Sequence, residues 1–229
     1  MGSTRVARGP HRPLFHVGVG RLPRVIHSST EDAVVTIELD RVDKRNALDE
    51  SMVTGLSEAF ATAVEQGARA IVLTGRGHVF SAGADLSGPV YDKSFLDLLV
   101  ATLQQIETTP VPVIAALNGA ALGAGLQLAM AADLRVMAPD ALAGIPAAKI
   151  GVAVDEWTIR RLVSLVGAGQ ARGMLIGCDP LTADRAHALG FANRIGDLTD
   201  ARHWAASIAA LAPLLSLIHI SEPTRLGMI

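Results

Sequence analysis

The uncharged stretch between Glu107 and Asp133 constrains the fold of this chain more than any other feature. It is long enough to suggest a membrane helix, which needs roughly 20 consecutive apolar residues. Prolines and glycines interrupt it, however, and divide it into a short buried strand, VPVIAAL, a turn, and a small-residue helix, GAGLQLAMAAD. We therefore expect a strand, a turn and a helix of a globular protein, without insertion into a membrane.

Strands and helices alternate on both sides of this stretch. The segment AVVTIELD predicts a strand, and RAIVLTG predicts a buried strand. Between them, DESMVTGLSEAFATAVEQG predicts a helix that Asp49 caps and that ends at Gly67. SFLDLLVATLQQIE has one apolar helical face, and three helical segments and a short strand, ANRIG, follow DLRVMAP. Alternation of this kind predicts an α/β fold with a parallel sheet.

Composition narrows the class of protein and of partner. The 229 residues, 50% hydrophobic and 18% charged, fit one soluble globular domain. A net charge of -2 offers no basic patch for nucleic acid, so we expect small molecules or proteins as partners. The single cysteine excludes an internal disulfide and a cysteine-cluster metal site, and we expect no metal. Arginine far outnumbers lysine, as in GC-rich bacterial genomes, and we expect a cytoplasmic protein.

The two ends differ from the middle. Residues 1–24 are rich in arginine and lack acids, so we expect a disordered leader, either a transit peptide or a segment translated from a wrong start codon. LSLIHISEPTR, near the other end, resembles a translated sequencing adapter. We therefore interpret 215–229 as a non-native tail, with an ordinary divergent tail as the alternative. We interpret 25–214 as the domain and the C-terminal helical part as truncated.

Two glycine-containing loops follow predicted strands, where α/β folds place ligands. FSAGADL follows RAIVLTG, and NGAALGAGLQL follows VPVIAAL and begins a helix. Two backbone N–H groups that converge there would stabilise an oxyanion, although glycine turns before helices also serve close packing. Neither loop matches a dinucleotide-binding or P-loop pattern.

Four motifs in order, KRNALDESM, FSAGADL, NGAALGAGLQLAMAADLRV and LTADRAHALGFANRI, resemble the crotonase, or enoyl-CoA hydratase/isomerase, family. The resemblance implies a spiral of repeated strand-strand-helix units that assembles as trimers or hexamers through C-terminal helices. It also implies an acyl-CoA thioester as ligand, with CoA present only as part of that ligand and no permanently bound cofactor.

The resemblance also implies roles for individual residues. The backbone N–H groups of Ala84 and Ala124 would form the oxyanion hole, where alanine replaces the usual central glycine at position 124. The path of CoA would be lined by residues of KRNALDESM and of the two glycine loops, namely Arg45, Ala47, Ala82, Asp85, Leu86 and Gly123.

The chain departs from the family at its acid and base. Family hydratases carry glutamates at the positions of Gln127 and Ala147. An amide orients water but cannot transfer its proton, and alanine does neither. Asp155 lies near the position of the aspartate base in family isomerases, although it would equally cap the helix that follows it.

Three functions remain open at this stage. The first is an acyl-CoA-binding family member of fatty-acid metabolism whose hydratase activity is absent or weak. The second is an active isomerase or hydratase that uses Asp155 as its base. The third is a truncated, non-functional product, which a trimer in solution would contradict.

Overall fold

The computed structural model describes residues 25–87 and 92–211, so the expectations for 1–24 and 215–229 lie outside the described residues. No helix in those described ranges has the length and apolar character needed to cross a bilayer. The strands are β1 (Ile26–Glu31), β2 (Val34–Leu39), β3 (Ala70–Gly75), β4 (Val79–Ser81), β5 (Val113–Leu117), β6 (Ala120–Leu122), β7 (Leu134–Met137), β8 (Leu142–Gly144), β9 (Leu181–Thr182) and β10 (Arg194–Ile195). The α-helices are α1 (Glu50–Glu65), α2 (Lys93–Glu107), α3 (Ala124–Ala131), α4 (Glu156–Val166), α5 (Ala168–Arg172), α6 (Ala183–Ala188) and α7 (Leu198–Ala209).

The larger sheet has the order β1-β2-β3-β5-β7-β10. Its strands from β2 to β10 are parallel, as the alternating pattern predicts, and β1 pairs antiparallel with β2 at the edge. The strand β3 is buried along its whole length, which matches its continuous apolar sequence.

A second sheet, with the order β4-β6-β8-β9, was not predicted from the sequence. The segment interpreted as a turn after VPVIAAL contains β6, which pairs in parallel with β4 and β8. Three successive units, β3-β4-α2, β5-β6-α3 and β7-β8-α4, therefore each contribute one strand to each sheet and then a helix, whereas both strands of β1-β2-α1 belong to the larger sheet. This repetition confirms the expected α/β spiral of strand-strand-helix units.

The helices lie on both faces of the larger sheet. On one face, Ile71 and Leu73 of β3 join the main core with α1, α2 and α3. On the other face, Ala70 and Val72 pack with the small residues of α7 in a second core. Alternate residues of β3 thus pack into two different cores, because successive side chains of a strand point to opposite faces of the sheet.

The predicted helix limits hold closely. The side chain of Asp49 caps α1 by accepting a hydrogen bond from the backbone N–H of Met52 at 2.9 Å, and Gly67 lies just beyond the helix with φ of 80°. The segment GQARGMLIG differs from a single helix. It forms α5 followed by a π-helical turn at Gly173–Gly177, so the helical path changes there.

Candidate functional site

The two glycine loops expected at the site meet in the structure. A Cβ atom added to Gly83 would lie 2.8 Å from the carbonyl oxygen of Leu122 and 3.5 Å from the backbone nitrogen of Ala124. Gly83 also has φ of 96°, which L side chains rarely adopt. Glycine at this position therefore lets the loop after β4 approach the start of α3.

The backbone N–H groups of Ala84 and Ala124 are available to a ligand. Leu48 pairs with the neighbours of Ala84: its N–H donates to the Gly83 carbonyl at 2.8 Å, and its own carbonyl accepts from the Asp85 N–H at 2.8 Å. Ala124 is the first residue of α3, where N–H groups have no partner inside the helix. Within 25–87 and 92–211, neither N–H donates a hydrogen bond. The positive end of the α3 dipole adds to the attraction for an oxyanion.

The start of α3 is fixed against β4 by a second close approach. A Cβ atom on Gly125 would lie 2.6 Å from the Cβ of Ser81, so no larger residue fits without displacement. The Ser81 hydroxyl donates to the Asn46 carbonyl at 2.8 Å and accepts from the Gly83 N–H at 3.2 Å. One buried serine thus joins three segments of the site.

The expected CoA path runs along two adjacent segments. The N–H of Ala82 donates to the carbonyl of Arg45 at 3.0 Å, which aligns the segment before α1 with the loop after β4. The side chains of Arg45 and Leu86 are exposed, Ala47 is buried and Ala82 is half-buried. Gly123, with φ of 51°, lies opposite Gly83, since its added Cβ would be 4.0 Å from the Gly83 Cα.

Asp85 is part of the support beneath the loop. Its carboxylate accepts hydrogen bonds from the Ser87 hydroxyl at 2.6 Å and from Arg41 Nη1 at 2.7 Å. The bonds from Ser87, and then that from Arg41, lower the pKa of Asp85 to about 2. Arg41 also lies 3.2 Å from Asp49, so it joins this loop to the start of α1.

Arg41 and Asn46 are residues that the sequence interpretation missed. Asn46 is completely buried, donates to the carbonyls of Arg76 and Val79, and accepts from the Arg41 N–H. Its position inside KRNALD was the available signal, because a polar residue between a strand and a helix cap often satisfies backbone groups.

The side chains of Gln127 on α3 and Asp155 before α4 are in contact. Gln127 Nε2 donates to Asp155 Oδ2 at 3.0 Å and to Thr158 Oγ1 at 2.6 Å. Asp155 also caps α4, since its Oδ1 accepts from the Thr158 N–H at 2.9 Å. The capping role is confirmed, and the same carboxylate contacts Gln127 on α3. Thr158, which the sequence interpretation missed, completes the group.

Ala147, which the resemblance places at the position of a second glutamate, is apolar and lies in a short helix. Ala147 is half-buried in the 3-10 helix Pro146–Ile150 and packs against the main core. In the part of the chain that the structure describes, no group of three or more His, Cys, Asp or Glu side chains could hold a metal ion.

The motifs and the geometry agree with comparisons to known proteins. The family model described as enoyl-CoA hydratase/isomerase matches residues 29–214. A Mycobacterium tuberculosis protein named probable enoyl-CoA hydratase echA6 is 54% identical over 183 residues, which cover 80% of this chain and 75% of the relative. A probable enoyl-CoA hydratase of Rhodobacter capsulatus is 35% identical over 82% of this chain and 75% of its own length.

Solved structures give the same result for the fold. The crystal structure of enoyl-CoA hydratase from Thermoplasma volcanium superposes with a TM-score of 0.82 at 30% identity, and the match covers 89% of this chain and 86% of that one. A second structure, of an enoyl-CoA hydratase from Polaromonas, gives a TM-score of 0.80 at 30% identity, with 86% and 83% coverage. The chain therefore belongs to the crotonase, or enoyl-CoA hydratase/isomerase, family.

Proposed function

We propose that this protein binds acyl-CoA thioesters of fatty-acid metabolism, with the thioester carbonyl oxygen held by the N–H groups of Ala84 and Ala124. The observation that carries this proposal is the approach of the two loops with both N–H groups unpaired within the described ranges. Such donors stabilise negative charge on a carbonyl oxygen. CoA enters only as part of the ligand, along the exposed edge near Arg45 and Leu86.

Hydration of an enoyl thioester is absent or weak in this proposal. Gln127 cannot take a proton from water, and Ala147 offers no acid or base. Each general acid or base contributes typically 10² to 10⁴ in rate, so both losses together leave little hydration. The proposed oxyanion hole consists of backbone N–H groups and does not need the carboxylates of the two missing glutamates. Thioester binding therefore persists.

Calorimetric titration with a long-chain acyl-CoA, alongside sensitive assays of enoyl-CoA hydration and isomerisation, tests the proposal. We expect binding without turnover. As a matched test of the cause, the Gln127→Glu/Ala147→Glu double variant should gain hydration. Absence of acyl-CoA binding would refute the proposed function, and efficient hydration by the unmodified chain would refute the loss of activity.

An active isomerase is the second candidate, because the exposed Asp155 carboxylate lies in direct contact with Gln127. A single positioned base suffices for isomerisation through an enolate. Against it, three hydrogen bonds from Gln127 and Thr158 already occupy the Asp155 oxygens. If the unmodified chain isomerises enoyl-CoA and the Asp155→Asn variant does not, the active isomerase is favoured over an acyl-CoA-binding protein without turnover.

A homotrimer or hexamer is the assembly that we propose for the protein in the cytoplasm. Mass measurement in solution by light scattering tests it, and a trimer would have about three times the 23.9 kDa of one chain. A strictly monomeric chain that binds no acyl-CoA would instead support the non-functional product.

A further inference from the structure

The direction of the Ala84 N–H group is set by the hydrogen bonds of its two neighbours. Leu48 donates to the carbonyl of Gly83 and accepts from the N–H of Asp85, so both of these groups point toward Leu48. The C=O and N–H of one trans peptide point in opposite directions. The Ala84 N–H shares a peptide with the Gly83 carbonyl and therefore points away from Leu48. Its aim depends on how the Leu48 segment is aligned with the loop after β4.

The guanidinium of Arg41 lies where these two segments meet. Its Nη1 donates to the carbonyl of Ala47 at 3.2 Å and to Asp85 Oδ2 at 2.7 Å. The same nitrogen lies 3.2 Å from Asp49 Oδ2. Ala47 and Asp49 are the residues on either side of Leu48, whereas Asp85 belongs to the loop. One nitrogen atom therefore holds both sides of the β-bridge at this point.

Both partners of the contact between Arg41 and Asp85 are held in place. The Arg41 N–H donates to Asn46 Oδ1 at 3.0 Å, and its carbonyl accepts from the Asn46 N–H at 2.9 Å. Asp85 Oδ1 accepts from the N–H and the hydroxyl of Ser87. The two side chains are only 20% and 11% exposed, and charge-assisted hydrogen bonds are roughly twice as strong as neutral ones. This contact is therefore suited to fixing the loop.

We propose that Arg41 is a positioning residue for the candidate oxyanion hole: it joins Asp85 to segment 47–49 and thereby directs the Ala84 N–H at the thioester carbonyl. The inference rests on the proposed function, in which Ala84 and Ala124 hold this oxygen. Arg41 contributes no atom to that contact and acts through the backbone of the loop. Because a hydrogen bond weakens steeply as its donor leaves the line to the acceptor, a small rotation of the peptide reduces polarisation of the carbonyl.

Difference infrared spectroscopy of a bound saturated acyl-CoA, with an isotope label on its thioester carbonyl, tests this inference. Donors that polarise a carbonyl weaken its C=O bond, so binding to the unmodified chain should lower the stretching frequency. We expect a smaller decrease in Arg41→Met, which lacks donors, and an intermediate one in Arg41→Lys, whose ammonium replaces Nη1 alone. Calorimetry should show about 3-fold to 10-fold weaker binding to Arg41→Met, the usual net value of one hydrogen bond.

The stretching frequency separates a positioning role from a loss of stability. A destabilised chain binds less ligand and gives a weaker band, but its folded molecules keep the same frequency. Val72→Ala, in the second core, is the control for stability. Arg76→Met is the control for loss of a paired arginine, since the Arg76 side chain pairs with Asp40. Both variants should keep the full decrease in frequency.

The outcomes distinguish the inference from the proposed function. The same frequency in Arg41→Met as in the unmodified chain would overturn the inference and leave the proposed function standing. Binding to the unmodified chain without any decrease in frequency would overturn the oxyanion hole and the role of Arg41 with it. No binding of acyl-CoA would overturn both.

Direct contact of Arg41 with a phosphate of CoA is an alternative that a second ligand separates. Acyl-pantetheine carries the same thioester but no phosphate group. If Arg41 positions the loop, Arg41→Met should reduce the frequency decrease of bound acyl-pantetheine as it does that of acyl-CoA. An effect limited to acyl-CoA would overturn the positioning role.

Asp85→Asn shows whether Arg41 acts through Asp85. This variant should also reduce the decrease in frequency, and the double variant Arg41→Met/Asp85→Asn should lose less than the sum of the two single losses, because residues in contact are coupled. Losses that simply add would contradict the proposed connection between the two residues.

Discussion

At the scale of single residues, the candidate oxyanion hole depends on buried side chains beneath its backbone. Asn46, Ser81 and Asp85 contribute no atom to the proposed carbonyl contact, yet they hold the loop after β4 through hydrogen bonds. Because the two donors are backbone N–H groups, their position depends on these supports and not on the side chains of Ala84 and Ala124. Replacement of a support should therefore affect both stability and binding.

Asp85 gives a prediction with a defined pH dependence. Its pKa of about 2 in the folded chain lies below the ordinary value of 3.8, so its stabilising effect is present above about pH 4 and is lost as the pH falls toward 2. Asp85→Asn should lower the free energy of unfolding by roughly 1.5–3 kcal/mol at pH 7, the usual loss for hydrogen bonds to a charged group. Urea unfolding should show that the free energies of unfolding of Asp85→Asn and of the unmodified chain differ less at pH 3 than at pH 7.

Asp97→Asn is the matched control for this prediction. Asp97 is an exposed carboxylate paired with Lys93 on α2, and loss of such a pair changes stability by less than about 1 kcal/mol. A deficit of Asp85→Asn that stayed constant between pH 7 and pH 3 would contradict the proposed role of the ionised carboxylate.

The residues that the sequence predicted are those whose role depends on local spacing. The cap at Asp155 follows from its position just before a helical pattern. The oxyanion role of Ala84 and Ala124 stays a prediction that the family resemblance of two loop motifs implies. Arg41 and Thr158 were missed because their partners lie far along the chain. The contact of Arg41 with Asp85 spans 44 positions, and that of Gln127 with Thr158 spans 31.

At the scale of elements, α3 connects the candidate oxyanion hole to the core, and its two ends are held by different interactions. Its start packs on Ser81 through Gly125. At its end, the buried Arg135 donates to the carbonyls of Ala129 and Ala132, which have no partners within the helix. Arg135 thus satisfies the end of the same helix whose start presents the Ala124 N–H.

Gly125→Ala should displace the start of α3. The added methyl group would lie 2.6 Å from the Ser81 Cβ, so we expect a loss of about 1–3 kcal/mol from overpacking, together with weaker acyl-CoA binding. Gly169→Ala in α5 is the matched control, since nothing lies within 4 Å of its added Cβ and helical alanine is preferred to glycine. Urea denaturation measures the stability of both variants, and calorimetry measures their affinity for acyl-CoA. Unchanged acyl-CoA affinity in Gly125→Ala would contradict the role of the close contact between Gly125 and Ser81.

Arg135→Met should destabilise the chain by at least about 3 kcal/mol, because it leaves several buried carbonyl groups without donors. Burial lowers the pKa of Arg135 to about 10, so the residue remains charged at neutral pH. Arg160→Met on the exposed face of α4 should cost less than about 0.5 kcal/mol. Urea unfolding curves provide the comparison, and similar losses in the two variants would refute a capping role for Arg135.

The elements differed in how well the sequence predicted them. β3 and β5 were predicted because each is a continuous apolar run after a helix signal. β4, β6 and β8 have three residues each, too few to show a period, and their pairing is between distant segments. The second sheet therefore could not be predicted from local pattern, although both candidate oxyanion loops leave its strands.

At the scale of the whole molecule, the larger sheet joins two cores that share its strands. α7 cannot separate from the sheet without exposing Val72 and Ile114 of the second core. Two arginines add polar contacts: Arg69 donates to the carbonyls of Ala209 and Leu211, and Arg202 donates to Thr36 on β2. We infer that α7 unfolds together with the domain that forms the candidate site.

The two tryptophans of the chain allow this cooperativity to be measured. Trp157 lies on α4 beside the main core, and Trp204 lies on α7, where Arg194 stacks over its ring at 4.0 Å. Trp157→Phe and Trp204→Phe each leave one fluorescent reporter. Within each variant, we expect its fluorescence and its circular dichroism to give the same urea midpoint, as in a two-state transition.

Val72→Ala, in the second core, extends the test to both reporters. Truncation of this buried side chain should cost about 2 kcal/mol and, because the sheet connects the cores, should lower the unfolding midpoints reported by Trp204 and by the distant Trp157 equally. A shift confined to Trp204 would show that α7 unfolds as a separate unit. In that case, loss of α7 would leave the loops of Ala84 and Ala124 intact, and acyl-CoA binding would persist at urea concentrations that unfold α7.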